Sequence, residues 1–288
     1  MQYSSEKIRN DFINFFKDKE HSFIRSSPVL PIDDSTLLFT NAGMNQFKKI
    51  FLNKETAKFK RATNSQKCIR VSGKHNDLEE VGVDMYHHTF FEMLGNWSFG
   101  DYYKKEAIQW SWELLTDIWK LDKERLWITV YKDDDESMNL WLKHTDVKKD
   151  RILKFGDKDN FWEMGETGPC GPSSEIHYYI GDITKQVPAG VNEDSDYREL
   201  WNLVFIEYNR NSKGKLDQLE SKHVDTGLGL ERILSTLNKV DDHYKTDLFE
   251  PIIEKVISIS SNDYSFDEGV PHRVIADHLR MVSFSLSD

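Results

Sequence analysis

The sequence predicts an α+β fold. Segments with apolar residues at helical spacing and segments with strand-like apolar runs follow one another without the regular strand–helix–strand order of a doubly wound sheet. The length of 288 residues allows one large domain or two modest ones. With 38% hydrophobic and 30% charged residues, the composition is that of a folded globular chain and excludes a disordered or collagen-like one.

Three amphipathic helices are predicted in the first 240 residues, and two more after them. The first starts near Ser5, which we expect to cap it, and carries apolar residues at helical spacing: Ile8, Phe12, Phe15 and Phe16. The second spans about 103–119, and the third starts near Gly227. Apolar spacing near 252–257 and over 274–286 predicts the last two.

Strands are predicted over 36–40, 87–92, 126–131 and 200–208, and the Gly- and Pro-rich segment 161–172 is expected to be a shaped loop. Alternation in the last strand puts three apolar side chains on one face, namely Trp201, Leu203 and Phe205. The other face carries Asn202, Val204 and Ile206. A single amide such as Asn202 is more often a satisfied core group than a ligand.

The net charge of −11 argues against a general binder of nucleic acid or anionic membrane. The segment from Lys48 to Lys74 reverses that sign, with nine basic residues and Glu55 as its one acidic residue. Such a segment can hold phosphates of a nucleotide or of RNA. A solubilising surface is the alternative that the charges alone leave open.

Several features predict a soluble, cytoplasmic protein without a membrane partner. No stretch approaches 18 apolar residues, and the first ten residues are charged where a signal peptide would be apolar. Two cysteines, Cys68 and Cys170, cannot form a disulfide framework. Neither cysteine has zinc-ligand spacing to His177, so no structural zinc is expected.

Two segments carry candidate binding chemistry. Alternation over 87–92 would put His88, Phe90 and Glu92 on one strand face, where they could stack on and hydrogen-bond a purine. The segment 224–232 reads as a strand-to-helix turn whose two glycines permit close backbone approach, with Arg232 one turn into the helix. It matches neither the dinucleotide fingerprint nor the P-loop.

These segments, in this order, resemble the catalytic core of the alanyl-tRNA synthetases, which are class II aminoacyl-tRNA synthetases. The resemblance covers essentially the whole chain. It rests on LFTNAGMNQF (38–47), GKHNDLE (73–79), HHTFFEMLGN (87–96), TGPCGP (167–172), DTGLGLER (225–232) and RVIADH (273–278).

The resemblance implies an antiparallel sheet of six or seven strands flanked by helices. The implied activity is ATP-dependent activation of L-alanine to alanyl-adenylate, followed by transfer to the 3′ end of tRNA(Ala), with Mg²⁺ on the ATP phosphates and the tRNA acceptor stem as partner. It also implies a catalytic domain over 1–245 and the start of a helical tRNA-recognition region over 246–288. Because family members continue into editing and C-terminal domains, we expect a truncated chain that charges tRNA poorly and does not clear mischarged serine.

The resemblance also implies roles by position. Arg70 and Arg232 would be catalytic, Arg70 holding the α-phosphate and the alanine carboxylate and Arg232 lying across the nucleotide. The implied ATP-binding residues are Arg70, His88, Phe90, Trp162, Trp201, Asn202, Gly229 and Arg232. The implied alanine-binding residues are Arg70, Asn202, Val204, Asp225 and Gly227. Lys74 would contact phosphates or tRNA, and no metal ligand is assigned.

Two other functions remain open from the sequence. One is a catalytically inactive, synthetase-like module that binds alanine or tRNA. The other is a ligase that loads an amino acid onto a carrier protein through the same adenylate. The presence of Arg70, Asp225 and Arg232 favours the enzyme over the inactive module.

Overall fold

The structure, a computed structural model, describes residues 3–31, 37–72 and 75–288. The helices are α1 (Ser5–Lys17), α2 (Lys48–Phe51), α3 (Lys104–Glu113), α4 (Asp135–His144), α5 (Asp157–Asn160), α6 (Leu230–Asn238), α7 (Glu250–Ser260) and α8 (Val270–Ser287). The strands are β1 (Ser22–Phe23), β2 (Arg61–Ile69), β3 (Val71–Ser72), β4 (His75–Asn76), β5 (Phe90–Phe99), β6 (Leu126–Tyr131), β7 (Ile152–Phe155), β8 (Phe161–Glu163), β9 (Gly168–Tyr179), β10 (Tyr197–Arg210) and β11 (Leu216–Gly229).

Nine of the strands in the described part of the chain form one sheet. Its order is β1-β2-β5-β11-β10-β9-β6-β7, with β8 paired to β9. The pairs are antiparallel except for β1–β2 and β6–β7, which are parallel. The predicted α+β class is therefore confirmed, although the sheet is larger and more mixed than the six or seven antiparallel strands that the resemblance implies.

Helices α1, α3 and α6 cover one face of the sheet and form the main core with it. Trp201 of β10 lies fully buried in that core, with its ring centroid 5.6 Å from that of Phe12 and 6.2 Å from that of Phe16. The cap of α1 is Ser4 and not Ser5, because Ser4 Oγ accepts the Lys7 backbone N–H at 3.2 Å.

Most predicted elements are confirmed. The strands predicted at 126–131 and 200–208 are β6 and part of β10, and the helix predicted over 103–119 is α3 followed by a π-helical turn, Leu114–Ile118. The strand prediction over 36–40 is wrong for 37–40, since none of these residues lies in a strand and 38 and 39 form a bend, while residue 36 lies outside the described residues.

The loop prediction over 161–172 is wrong for 161–163 and 168–172, which lie in β8 and β9 and pair antiparallel, and is confirmed for 164–167, which bend between the two strands. Gly171 lets β9 approach β10 on its other side, because a Cβ there would lie 2.0 Å from the Phe205 carbonyl oxygen of β10. This glycine therefore permits close strand approach, and does not mark irregular backbone.

Helices α7 and α8 pack on each other and α8 also contacts β5. Several buried contacts attach α8 to the rest of the fold, two of them to residues near the cavity. Arg280 Nη2 donates to Glu231 Oε1 at 3.1 Å, and Asp277 Oδ1 accepts the Thr89 backbone N–H at 3.0 Å. None of the helices in residues 3–31, 37–72 and 75–288 combines the length and apolar character needed to cross a bilayer.

Candidate active site

A cavity of about 460 Å³ lies over β5, β10 and β11, on the sheet face opposite the core that α1, α3 and α6 form. The strand register sets its floor, because Asn202 lies directly opposite Gly227 and Val204 directly opposite Asp225. Directly opposed residues share a sheet face. The predicted site residues that line this cavity are Arg70, His88, Trp162, Asn202, Val204, Asp225, Gly227, Gly229 and Arg232.

Phe90 does not line the cavity, so its predicted place in the adenine wall is wrong. Its ring is fully buried and stacks on Phe284 of α8, with centroids 4.2 Å apart. Strand β5 begins only at Phe90, and alternation then turns Phe91 and Met93 toward the cavity. Glu92 also points away and pairs with Arg9 at 2.6 Å.

Trp201 is the second correction. It packs against α1 in the core, because it alternates with Asn202 along β10 and the two side chains leave opposite faces of the sheet. The alternation noted in the sequence already separates them. Lys74, the remaining predicted residue, lies outside the described residues.

Arg70 forms one wall of the cavity. Its Nε donates to the Asn41 carbonyl oxygen at 3.1 Å, and its guanidinium carbon lies 5.0 Å from the centre of the Phe91 ring. The hydrogen bond and the cation–π contact together fix the plane of the guanidinium. An orientation held in this way suits recognition of a phosphate or carboxylate.

Arg232 is in the first turn of α6 and reaches the cavity from the end of β11. Its Nη1 donates to the Glu199 carbonyl oxygen at 2.9 Å and to Glu199 Oε2 at 3.1 Å. Its guanidinium carbon lies 5.7 Å from the centre of the Tyr86 ring. Burial alone would raise the pKa of Glu199, but the Arg232 guanidinium holds it below its ordinary value.

Asp225 is a buried carboxylate in the cavity floor. Trp97 Nε1 donates to its Oδ1 at 2.6 Å. Burial raises the pKa of Asp225 to about 7, although the Trp97 hydrogen bond opposes the shift. A buried carboxylate with one neutral partner is a strong site for a cation that enters the cavity.

His88 lines the cavity from the segment just before β5 and is almost fully buried. Its Nε2 lies 3.0 Å from His243 Nδ1, and its ring stacks on Phe249 with centroids 4.7 Å apart. Its position is therefore fixed by the helical C-terminal part of the chain.

Sequence reasoning missed Glu175, which lines the cavity from β9 and contacts Asn202. Asn202 Nδ2 donates to Glu175 Oε1 at 3.2 Å, and Thr129 Oγ1 and His177 Nε2 lie 3.2 Å from Oε2. Burial raises the pKa of Glu175, while the hydrogen bond with His177 opposes the shift. The available signal was an acidic residue in the middle of a long buried strand.

Other missed cavity residues include Tyr86, Phe91, Met93 and Glu199. In the described ranges, no group of three or more His, Cys, Asp or Glu side chains is arranged to hold a metal ion.

Comparison with known proteins gives one consistent result. The family described as tRNA synthetases class II (A) matches residues 7–288. Alanine--tRNA ligase of Chlorobium chlorochromatii is 58% identical over 294 residues, covering 99% of this chain and 32% of that protein. The cytoplasmic Alanine--tRNA ligase of Dictyostelium discoideum is 52% identical over 306 residues, covering 98% of this chain and 32% of that protein. The mitochondrial Alanine--tRNA ligase of Saccharomyces cerevisiae is 50% identical over 311 residues, covering 100% of this chain and 31% of that protein.

The chain spans about a third of the length of these relatives. The family match extends over nearly all of its residues, and four of the six segments on which the sequence resemblance rests contribute residues to the cavity lining. The chain belongs to the class II (A) tRNA synthetase family.

Proposed function

We propose that this chain activates L-alanine with ATP, releasing pyrophosphate, and passes the alanyl group from the adenylate to the 3′ end of tRNA(Ala). The observation that carries the proposal is that one cavity contains Arg70, Arg232 and Asp225. The two guanidinium groups, each held in one orientation, suit the ATP phosphates. The buried carboxylate suits the alanine ammonium. The names of the relatives, Alanine--tRNA ligase, support alanine as the substrate.

In the first step, an oxygen of the alanine carboxylate attacks the α-phosphorus of ATP. A new O–P bond forms while the bond from the α-phosphorus to the bridging oxygen breaks, and pyrophosphate leaves with that electron pair. No proton needs to move, so the protein acts by orientation and charge. Arg70 holds the carboxylate and the α-phosphate together, and Arg232 stabilises the nucleotide from the α6 side.

Alanine selection is assigned to the cavity floor. Asp225 takes the ammonium, Asn202 contributes its amide, and Val204 limits the side chain that fits. Gly227 keeps the floor open and close to β5, because a Cβ there would lie 2.7 Å from Met93 Sδ. A pocket of this kind excludes bulk more readily than it excludes one added hydroxyl.

ATP is assigned to the opposite part of the cavity, between Arg70, Arg232, His88, Trp162 and Gly229. Phe91 replaces Phe90 as the aromatic contact of the base, since Phe91 is the ring beside the Arg70 guanidinium. Asn202 lies between the two substrates, and Lys74 remains proposed for phosphate or tRNA contact.

Mg²⁺ fits the cavity as a partner of ATP. Glu199 offers a cavity-lining carboxylate that its neighbours keep ionised. One or two carboxylates with substrate phosphates are a common Mg²⁺ environment, so a larger protein cluster is not needed. Bound there, Mg²⁺ would neutralise phosphate charge.

We also propose a catalytic domain over 1–245 and the start of a tRNA-recognition region over 246–288, with the tRNA acceptor stem as partner and a cytoplasmic location. Of the relatives, the Dictyostelium protein is named cytoplasmic and the yeast protein mitochondrial. The basic segment from Lys48 to Lys74 supports contact with a polyanion.

The variant Asp225→Ala tests the assignment in a pyrophosphate-exchange assay. We expect the KM for alanine to rise at least about tenfold and the KM for ATP to change less than about twofold, because only the ammonium loses its counter-charge. Asp217→Ala, on an exposed part of the same strand, is the matched control. An equal rise of the KM for alanine and the KM for ATP would overturn the role of Asp225.

A further inference from the structure

The Asn202 side chain is held in one orientation by its neighbour in β9. Asn202 and Glu175 are directly opposed across the β9–β10 pair, and Asn202 Nδ2 donates to Glu175 Oε1 at 3.2 Å. The other end of the same amide, Oδ1, is buried and has no hydrogen-bond partner among the described residues. A buried acceptor left without a donor calls for an explanation.

The order of the strands indicates the direction of the Asn202 Oδ1 acceptor. Strand β10 lies between β9 and β11, and Nδ2 of Asn202 is directed toward β9. The two ends of a planar amide lie on opposite sides of its Cβ–Cγ axis, so Oδ1 is directed toward β11. Its direct neighbour on β11 is Gly227, which has no side chain, and Asp225 follows two residues earlier on the same face.

An asparagine has two ends of opposite character and similar shape, so its neighbours decide which end faces a ligand. Glu175 Oε1 accepts from Asn202 Nδ2, and a carboxyl oxygen that accepts at this place selects the NH₂ end of the amide. Glu175 is itself held, because Thr129 Oγ1 donates to its Oε2 and His177 Nε2 lies 3.2 Å from the same oxygen.

We propose that Glu175 is a positioning residue that turns the Asn202 amide oxygen toward the substrate ammonium, so that Asn202 and Asp225 bind the ammonium together. The inference rests on the proposed function, in which alanine occupies this floor. The reversed amide would place two N–H donors against an ammonium that has only donors. Glu175 thereby selects for an α-ammonium group through the orientation of the Asn202 amide.

The test is a double-mutant cycle between Glu175→Gln and Asn202→Ala, read by alanine-dependent pyrophosphate exchange. A glutamine can donate to Asn202 Oδ1 as well as accept from Nδ2, so it no longer selects one orientation. We expect Glu175→Gln to raise the KM for alanine about tenfold, with the KM for ATP changed less than about twofold. In the Asn202→Ala background the same substitution should change the alanine KM less than about twofold, because nothing is left to orient.

Competition by L-lactate gives a second readout. Its hydroxyl both donates and accepts, so it can bind either end of the amide. We expect Glu175→Gln to change the inhibition constant of lactate less than about twofold while alanine weakens about tenfold. Equal weakening of lactate and alanine would show general damage to the pocket and would overturn the proposal.

Two further variants separate a specific effect on the pocket from a general loss of folding. Thr129→Val removes one donor to Glu175 and should weaken alanine in the same direction but less. Glu207→Gln is the matched control, since Glu207 of β10 accepts from Tyr103 and lies outside the cavity lining. Additive effects of Glu175→Gln and Asn202→Ala, with normal wild-type exchange, would overturn this inference alone. A folded wild-type chain that does not exchange with alanine would overturn the proposed function as well.

Discussion

Phe90 and Phe91 are adjacent in sequence but lie on opposite faces of the sheet. The Phe90 ring stacks on Phe284 of α8 at a centroid distance of 4.2 Å, whereas the Phe91 ring lies in the cavity beside the Arg70 guanidinium. One residue therefore attaches the C-terminal helix to the sheet, and its neighbour contributes to the proposed ATP site.

This division predicts different defects for the two phenylalanines. Phe91→Leu should raise the KM for ATP about tenfold with little change in stability, because stacking on a nucleobase contributes about 1–3 kcal/mol. Phe90→Leu should lower the free energy of unfolding by about 1–3 kcal/mol and leave both KM values within about twofold, since it changes only core packing. Steady-state exchange kinetics and denaturant unfolding measure the two effects. An ATP defect confined to Phe90→Leu would restore Phe90 to the ATP site.

The raised pKa of Asp225 predicts a pH-dependent affinity for alanine. With that pKa near 7, the carboxylate takes up a proton as the pH falls below 7 and loses the charge that pairs with the ammonium. The KM for alanine should therefore rise about tenfold per pH unit below 7 and level off above it. Exchange assays from pH 5.5 to 8.5 measure this, and an alanine KM that is flat over the range would contradict it.

The same pKa predicts that Asp225→Asn stabilises the fold at alkaline pH. Because the folded-state pKa of about 7 lies above the ordinary value of 3.8, the folded chain holds a proton that the unfolded chain releases, and wild-type stability falls as the pH rises from about 4 to 7. At pH 8 the variant should be more stable by about 2–4 kcal/mol, and by less at pH 5. The asparagine oxygen can still accept from Trp97. Thermal unfolding at both pH values measures the difference, and an equal gain at the two would contradict it.

The position of Val204 predicts that a smaller residue there changes which amino-acid side chain the pocket accepts. It is nearly fully buried, and it sits opposite Asp225 in the cavity floor. Val204→Ala should improve kcat/KM for L-2-aminobutyrate relative to alanine about tenfold, because one methylene contributes about 1–3 kcal/mol in an apolar pocket. Leu203→Val, on the opposite face of β10, is the control and should lower stability without changing that ratio. A ratio that shifts equally in both variants would remove Val204 from the pocket.

Much of the fold and of the site could be predicted from the sequence. The α+β class and strands β6 and β10 follow from the spacing and alternation of apolar residues. The place of Arg70, Asp225 and Arg232 in one cavity follows from their positions relative to the family resemblance. Phe90 could not be placed correctly, because alternation fixes a face only once the strand register is known, and two adjacent phenylalanines fit either register.

Glu175 could not be assigned from the sequence for a different reason. Its contact with Asn202 joins two residues that are 27 positions apart in the sequence, and the register of the β9–β10 pair includes two irregularities. No local pattern encodes such a register.

The most direct test of the central claim is alanine-dependent exchange of labelled pyrophosphate into ATP, with serine and glycine as comparison substrates. We predict saturable exchange that is strongest with alanine. Arg70→Lys should lower exchange by about 10²-fold or more, because an ammonium cannot replace the bidentate guanidinium. A folded chain that gives no exchange, or exchange that does not depend on the amino acid, would contradict the assignment of this cavity as an alanine-activating site.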